Sequence, residues 1–299
     1  MTPRYKTPQA AKNGIEERLR RKASHRDVGR ERQVEIFHRL VARLSKQLGD
    51  RVVLKGGFVL EIRLERARTT LDVDVLLTGD PATVLDELQA AGRLDLGDYL
   101  SFEISRNEDH ATIEGDGIVY EGQRFRVQAM LATLKYGEPF GLDVAFGDIL
   151  TGSKETHAGS DFFSFVGAEQ VPFALYPRET HIAEKLHAYT LPRKRPNSRV
   201  KDLPDLALLA QTGSFDSSSL RAALDRTFAF RKSHPLPAAL PDPPEHWIKV
   251  YPKMAKRDAL PWTDIESLAL AVRAFIDPIL STKEAAEWSP ASWSWAKKP

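Results

Sequence analysis

Between Arg30 and Leu48 the apolar residues Val34, Phe37, Leu40, Val41, Leu44 and Leu48 return every third or fourth position, which predicts an amphipathic helix ended by Gly49 and Asp50. A short apolar run, 51–54, predicts a strand that meets Lys55-Gly56-Gly57, and 58–65 predicts a second helix. The rhythm then changes. Over 69–77 (TTLDVDVLL) Leu71, Val73 and Val75 point one way and Asp72 and Asp74 the other, the period of a strand with a carboxylate face. Asp80-Pro81 supplies an N-cap and a first-turn proline for a helix running to about Ala91. Further strands are expected at 99–106, 123–131 and 140–146, followed by a Gly- and Ser-containing connection over 147–172.

Beyond that connection the pattern is helical, with helices expected at 178–190, 203–210 and 217–231, the last after a Thr212-Gly213 stop. The stretch 234–244 (HPLPAALPDPP) is too rich in proline for helix or strand and reads as a linker. A final helix over 264–275 precedes a polar tail carrying Trp288, Trp293 and Trp295. The expected fold class is α+β, a mixed sheet domain with an appended helical C-terminal domain. Its divisions are a basic N-terminal arm (1–28), a sheet core (29–150) and a mainly helical part (151–299).

Composition narrows the chemistry. Of 299 residues 42% are apolar, enough for a hydrophobic core, and none is cysteine, which removes disulfides, thiolate metal sites and cysteine nucleophiles together. The N-terminal segment lacks the apolar stretch of a signal peptide and no run approaches a membrane span, so no membrane association and a cytoplasmic location are expected. The formal net charge of +2 conceals a partition: residues 1–55 carry fifteen Lys/Arg against six Asp/Glu, 71–121 two against thirteen, and 178–201 seven against two. Basic segments flanking an acidic one suit an enzyme that grips a polyanion and holds metal ions at an acidic centre. Solvated helix faces and a free basic tail are the plainer reading of the same numbers.

Two carboxylates at i and i+2 of a strand project from one face roughly 7 Å apart, within reach of one divalent ion or a pair. Displacement at a nucleotide phosphorus calls for that arrangement, because metals neutralise charge on the attacking and leaving oxygens. An Asp-x-Asp tripeptide is common by chance, so its surroundings matter. Gly57, fifteen residues before Asp72, closes a Gly-Gly turn between strand and helix, where backbone N–H groups approach phosphates closely. Asp143 stands in the core-like run GLDVAF, where a charge must be paired or bound, and is the candidate third metal ligand; Asp148, in a turn, is the alternative. Thr70 is expected on the Asp72/Asp74 face, beside the nucleotide. Lys185 borders the apolar stripe of its helix, within reach of a cleft. Downstream, Arg193, Lys194, Arg195 and Arg199 form a basic loop suited to phosphate backbones, and Asp202 is placed to cap the next helix.

Taken together, Lys55-Gly56-Gly57, Arg68-x-Thr70-x-Asp72-x-Asp74, the Lys185-Leu-His-Ala segment and Lys201-Asp202-x-x-Asp205-Leu resemble the AbiEii/AbiGii nucleotidyltransferase toxins, of the DNA polymerase β-like superfamily. The resemblance runs over about residues 30–210. It departs from the superfamily's usual pattern in having Gly56-Gly57 for Gly-Ser, and Lys201 where many relatives have Arg. It implies a nucleotidyltransferase fold, a Mg²⁺– or Mn²⁺–NTP substrate, an RNA acceptor such as the acceptor end of tRNA, a block of translation and a cognate antitoxin. By position it implies that Asp72 and Asp74 ligate metal and that Lys55, Gly56 and Gly57 line the phosphate site. Lys185 then holds the triphosphate, and Asp202 positions Lys185 or the acceptor hydroxyl. Two rivals stand beside it: the same fold acting on a small molecule or a protein hydroxyl, and a non-catalytic RNA- or partner-binding module.

Overall fold

The computed structural model describes residues 5, 7–23, 27–64, 70–107, 112–115, 118–193, 197, 199–281 and 284–298, with the backbone alone for 112–115 and 118–121. Helix α1 (Pro8–Ala23) sends Ala11, Ile15, Leu19 and Ala23 into the core. Its stripe, one small or apolar residue per turn amid charges, is too narrow for the periodicity to announce. Helix α2 (Val28–Leu48) is capped by Asp27, whose side chain accepts from the Gly29 N–H at 2.8 Å, and it ends at Gly49, where φ is +57°. Its apolar stripe is buried as expected, together with two arginines. Arg43 grips the Asp98 carboxylate through Nη2 and Nη1 at 2.6 and 2.8 Å, and Arg39 Nε joins it at 2.5 Å, all three residues at most 2% exposed. Burial alone would raise the Asp98 carboxyl, but Arg43's hydrogen bonds and the two positive charges hold it below the usual range.

The sheet is built from β1 (Val52–Lys55), helix α3 (Gly56–Arg63), β2 (Asp72–Leu77), helix α4 (Val84–Gly92), β3 (Leu100–Arg106), β4 (Thr112–Gly115), β5 (Ile118–Leu131), β6 (Leu134–Lys135), β7 (Phe140–Ala145), β8 (Glu155–His157) and β9 (Phe173–Leu175). Its order is β3-β5-β7-β2-β1-β9-β8, with β4 and β6 paired to β5. β2 runs parallel to β7 and antiparallel to β1, and β1 runs parallel to β9, so the sheet is mixed. Asp80 does not start a helix directly: its carboxylate accepts from Ala82 N–H in a turn over 81–83, and α4 begins at Val84. The expected loose connection 147–172 contains β8 and a short 3-10 turn whose Phe162, Phe163 and Val166 enter the core. Large aromatic side chains anchor that segment without any helical or strand period.

The rest is helical: α5 (Arg178–Thr190), α6 (Asp202–Ala210), β10 (Phe215–Asp216), α7 (Ser217–Arg231), α8 (Trp247–Arg257), α9 (Ile265–Ser281), β11 (Ala286–Ser289) and β12 (Ser294–Lys297). The expected polar tail is a hairpin, β11–β12, that also pairs with β10. Its three tryptophans are staples: the indole N–H groups of Trp288, Trp293 and Trp295 donate to the carbonyls of Ala210, Ala271 and Phe275 at 2.8, 3.0 and 2.8 Å. Helix α8, preceded by the proline-rich stretch and containing Pro252, buries Trp247, Tyr251, Met254 and Ala255. One hydrophobic core reaches from Ile15 to Leu175 around the sheet; a second runs from Ile182 to Trp288 and takes in Leu60 of α3. That leucine fastens the helical layer to the helix that follows β1.

Candidate active site

The register of four adjacent strands assembles a row of charges. Lys55 on β1 lies opposite Asp74 on β2, Asp74 opposite Asp143 on β7, and Asp143 opposite Arg124 on β5. Paired residues share a sheet face, and Asp72 lies two positions from Asp74 on that same face, while Val73 and Val75 are buried in the core behind. The carboxylate face of β2 is therefore what the period-two pattern predicted. Asp72 is exposed, Asp74 half-buried and Asp143 buried.

Both aspartates sit against glycines. A Cβ on Gly56, where φ is +71°, would lie 1.9 Å from Asp74 Oδ2, and one on Gly141 would lie 2.7 Å from Asp72 Oδ1. The Gly-Gly turn thus serves Asp74 itself. Gly56 also opens α3, whose first turn receives no side-chain cap from Lys55, and Gly56 and Gly57 line the cleft above the carboxylates. This cleft, of about 230 Å³, is closed on its other side by α5 and the 199–201 segment.

The carboxylates are crowded. Burial first, and the Asp143 charge second, push Asp72 and Asp74 above the usual carboxylate range; Arg124 and Lys201 oppose this at Asp72, Lys55 and Lys185 at Asp74. Asp143 is held by a bidentate fork, Arg124 Nε and Nη2 donating at 2.7 and 2.6 Å. Asp148 is occupied as well, accepting from Lys55 Nζ at 2.5 Å and from Arg231 Nη2 at 2.7 Å, and Arg231 also binds Glu184.

Lys185 reaches the cleft from α5, 11% exposed, with its ammonium between Asp205 Oδ2 at 2.7 Å and Asp202 Oδ1 at 3.1 Å. Asp202 is not the helix cap that its position suggested. It is the first residue of α6, and its side chain binds Lys185 and Arg199 instead, both of which hold its carboxyl below the ordinary range despite burial. Thr70 precedes β2, buried, with its hydroxyl 3.2 Å from the Asp72 carbonyl oxygen, and it lines the cleft. Of the basic loop, Arg193 donates to the Ala188 carbonyl at the end of α5 and Arg199 to Asp202; Lys194 and Arg195, like Arg68, lie outside the described residues.

Sequence reasoning missed Arg124, Glu184 and Arg231. Arg124 carried a signal, since it alternates with Phe125 and Val127 in a period-two run, but only the register shows that it faces Asp143. Among the described residues no three His, Asp or Glu side chains are grouped closely enough to hold a metal ion. Asp72 and Asp74 are oxygen donors on one sheet face of the kind that could hold one, and Asp143, opposite Asp74 on β7, is forked by Arg124.

A mixed sheet bearing an Asp-x-Asp pair beside a glycine turn is faced by a lysine from a helical layer. The chain belongs to the family described as "Nucleotidyl transferase AbiEii toxin, Type IV TA system", whose model matches residues 39–293. The family implies a nucleotide substrate and an antitoxin partner. The fold is similar to that of the nucleotidyltransferase toxin MenT4 from Mycobacterium tuberculosis H37Rv, with a TM-score of 0.60 and 18% identity over 93% of this chain and 92% of that one. JHP933 from Helicobacter pylori matches at TM-score 0.47 and 19% identity, over 83% and 92% of the two chains. No curated protein sequence matches. No helix among the described residues is long and apolar enough to cross a membrane.

Proposed function

We propose that this toxin-family nucleotidyltransferase moves a nucleoside monophosphate from a metal–NTP complex to a hydroxyl of RNA, the acceptor end of tRNA being the expected target, and thereby blocks translation. One observation carries the transfer reaction: Asp72 and Asp74 share one sheet face in the wall of the cleft, opposite a glycine turn and a lysine fixed in place. Mg²⁺ or Mn²⁺ held by Asp72 and Asp74 would neutralise charge on the phosphate oxygens. Asp143 would join them only if released from Arg124.

The chain's own groups account for binding and orientation. The uncapped first turn of α3 offers backbone N–H groups to a phosphate, and the missing Cβ at Gly56 leaves Asp74 unobstructed. Asp202 and Asp205 hold the Lys185 ammonium in place, so that its attraction for the triphosphate is preorganised before the substrate arrives. Lys201 and Arg199 border the cleft and extend positive charge to its mouth, which favours a polyanionic acceptor over a neutral small molecule. MenT4, whose fold is similar, is itself a nucleotidyltransferase toxin, which fits this reading. The test is to incubate the purified protein with total RNA, Mg²⁺ and each labelled NTP in turn. Label in the tRNA band supports the reading; label that stays out of all RNA fractions overturns it.

A further inference from the structure

The cleft has two ends, each with its own pair of cations. Asp72 faces Arg124 and Lys201, whereas Asp74 faces Lys55 and Lys185. At the second end stands His181, on α5 one turn before Lys185 and lining the same cleft as Lys55, Gly56 and Lys185. It is 3% exposed, and neither ring nitrogen has a hydrogen-bond partner. Buried polar groups are almost always bonded, so a buried imidazole with both nitrogens unmatched at the wall of a binding cleft points to a partner that arrives with the ligand. Its surroundings say which part of the ligand. Lys185, Arg63 and Lys55 are the cations facing it and Asp205 the anion, and the Tyr176 ring lies edge-on at 6.3 Å. Lys55 and Lys185, which line the same stretch of cleft, and the uncapped first turn of α3 suit an anionic group and give a neutral base or a ribose no advantage. Burial first, and then those cations, keep His181 neutral, with one N–H to donate.

We propose that His181 is a binding residue for the pyrophosphate end of the triphosphate, its imidazole N–H donating to a non-bridging phosphate oxygen beside the Lys185 ammonium. This rests on the nucleotidyl-transfer reading above and adds to it a recognition element that separates nucleoside triphosphates from monophosphates.

The probe is inorganic pyrophosphate, titrated calorimetrically in Mg²⁺ into the wild type, His181→Phe and His181→Gln. The phenyl ring keeps the volume and removes both nitrogens, so pyrophosphate affinity falls about tenfold or more, the usual loss for a hydrogen bond to a charged acceptor. His181→Gln restores an N–H near the position of Nε2 and regains part of that loss, and binding of nucleoside monophosphates is the same in all three. In the wild type the His181 ring nitrogen resonances shift on adding pyrophosphate and stay in place with a nucleoside monophosphate, a readout that needs no variant to fold. Unchanged pyrophosphate affinity in a folded His181→Phe, or unmoved His181 resonances in a wild type that binds pyrophosphate, overturns the proposal and leaves nucleotidyl transfer standing. A wild type that binds neither pyrophosphate nor any NTP overturns both.

Discussion

Asp74 combines two properties that oppose each other in the folded chain. Its carboxylate is half-buried beside Asp143, so its charge is a cost to folding, yet that charge is what the proposed metal site requires. Asp74→Asn keeps the shape and removes the charge. Transfer is expected to fall at least a hundredfold while the metal-free thermal midpoint stays level or rises; a midpoint that drops by several degrees would make Asp74 a structural residue. Gly56→Ala behaves differently, because its methyl group would lie 1.9 Å from Asp74 Oδ2 at a backbone φ of +71°. It is expected to lose both activity and about 1–3 kcal/mol of stability, measured by denaturant unfolding. At this scale the sequence was most legible where chemistry and period coincide. Asp72 and Asp74 alternate with Val73 and Val75, and that alternation alone separates the two faces. Arg124 was illegible as a partner of Asp143, because pairing across strands is a matter of register and nothing local encodes it.

Helices α5 and α6 act as one clamp. Lys185 looked like a border residue on its own helix, but α6 brings two carboxylates, both fully buried, against its ammonium. Removing Lys185 would therefore do more than weaken substrate binding, since Asp205 would lose that cation inside the protein. Lys185→Ala is expected to destabilise by about 3–5 kcal/mol, the range for breaking a buried pair. Lys185→Arg keeps the charge and most of the stability, but its planar, longer head cannot place a point charge in the same spot. The NTP Michaelis constant is expected to rise about tenfold in Lys185→Arg with a near-native midpoint; an unchanged constant would remove Lys185 from the triphosphate site. Elements with broad stripes, α2, α5 and α7, could be read directly. α1 could not, because one buried residue per turn is lost among its charges, and α8 could not, because Pro252 and the proline-rich stretch before it signal a break. Hairpin β11–β12 is fixed by tryptophan packing against α9, a long-range effect with no local period.

Across the whole molecule, the sheet's attachment to α2 runs through Asp98 and the two arginines it satisfies. The folded-state pKa of Asp98 is depressed, so its contribution to stability is fully present above the unfolded value near ~3.9 and is lost as pH falls below that toward the folded one. Acid unfolding of the wild type is therefore expected to begin below about pH 4, with Asp98→Asn less stable at neutral pH and showing a shallower acid limb. Equal acid limbs in urea melts of the two proteins would show that Asp98 carries no such dependence. Nucleotidyl transfer to RNA at the Asp72/Asp74 face is the reaction proposed for this protein. Its most direct measurement is transfer of label from each α-labelled NTP to total RNA by wild type and Asp74→Asn, side by side, with the fold of both checked by thermal midpoint. Label is expected in tRNA for the wild type and none for a folded Asp74→Asn; equal labelling by both proteins would contradict transfer at this face.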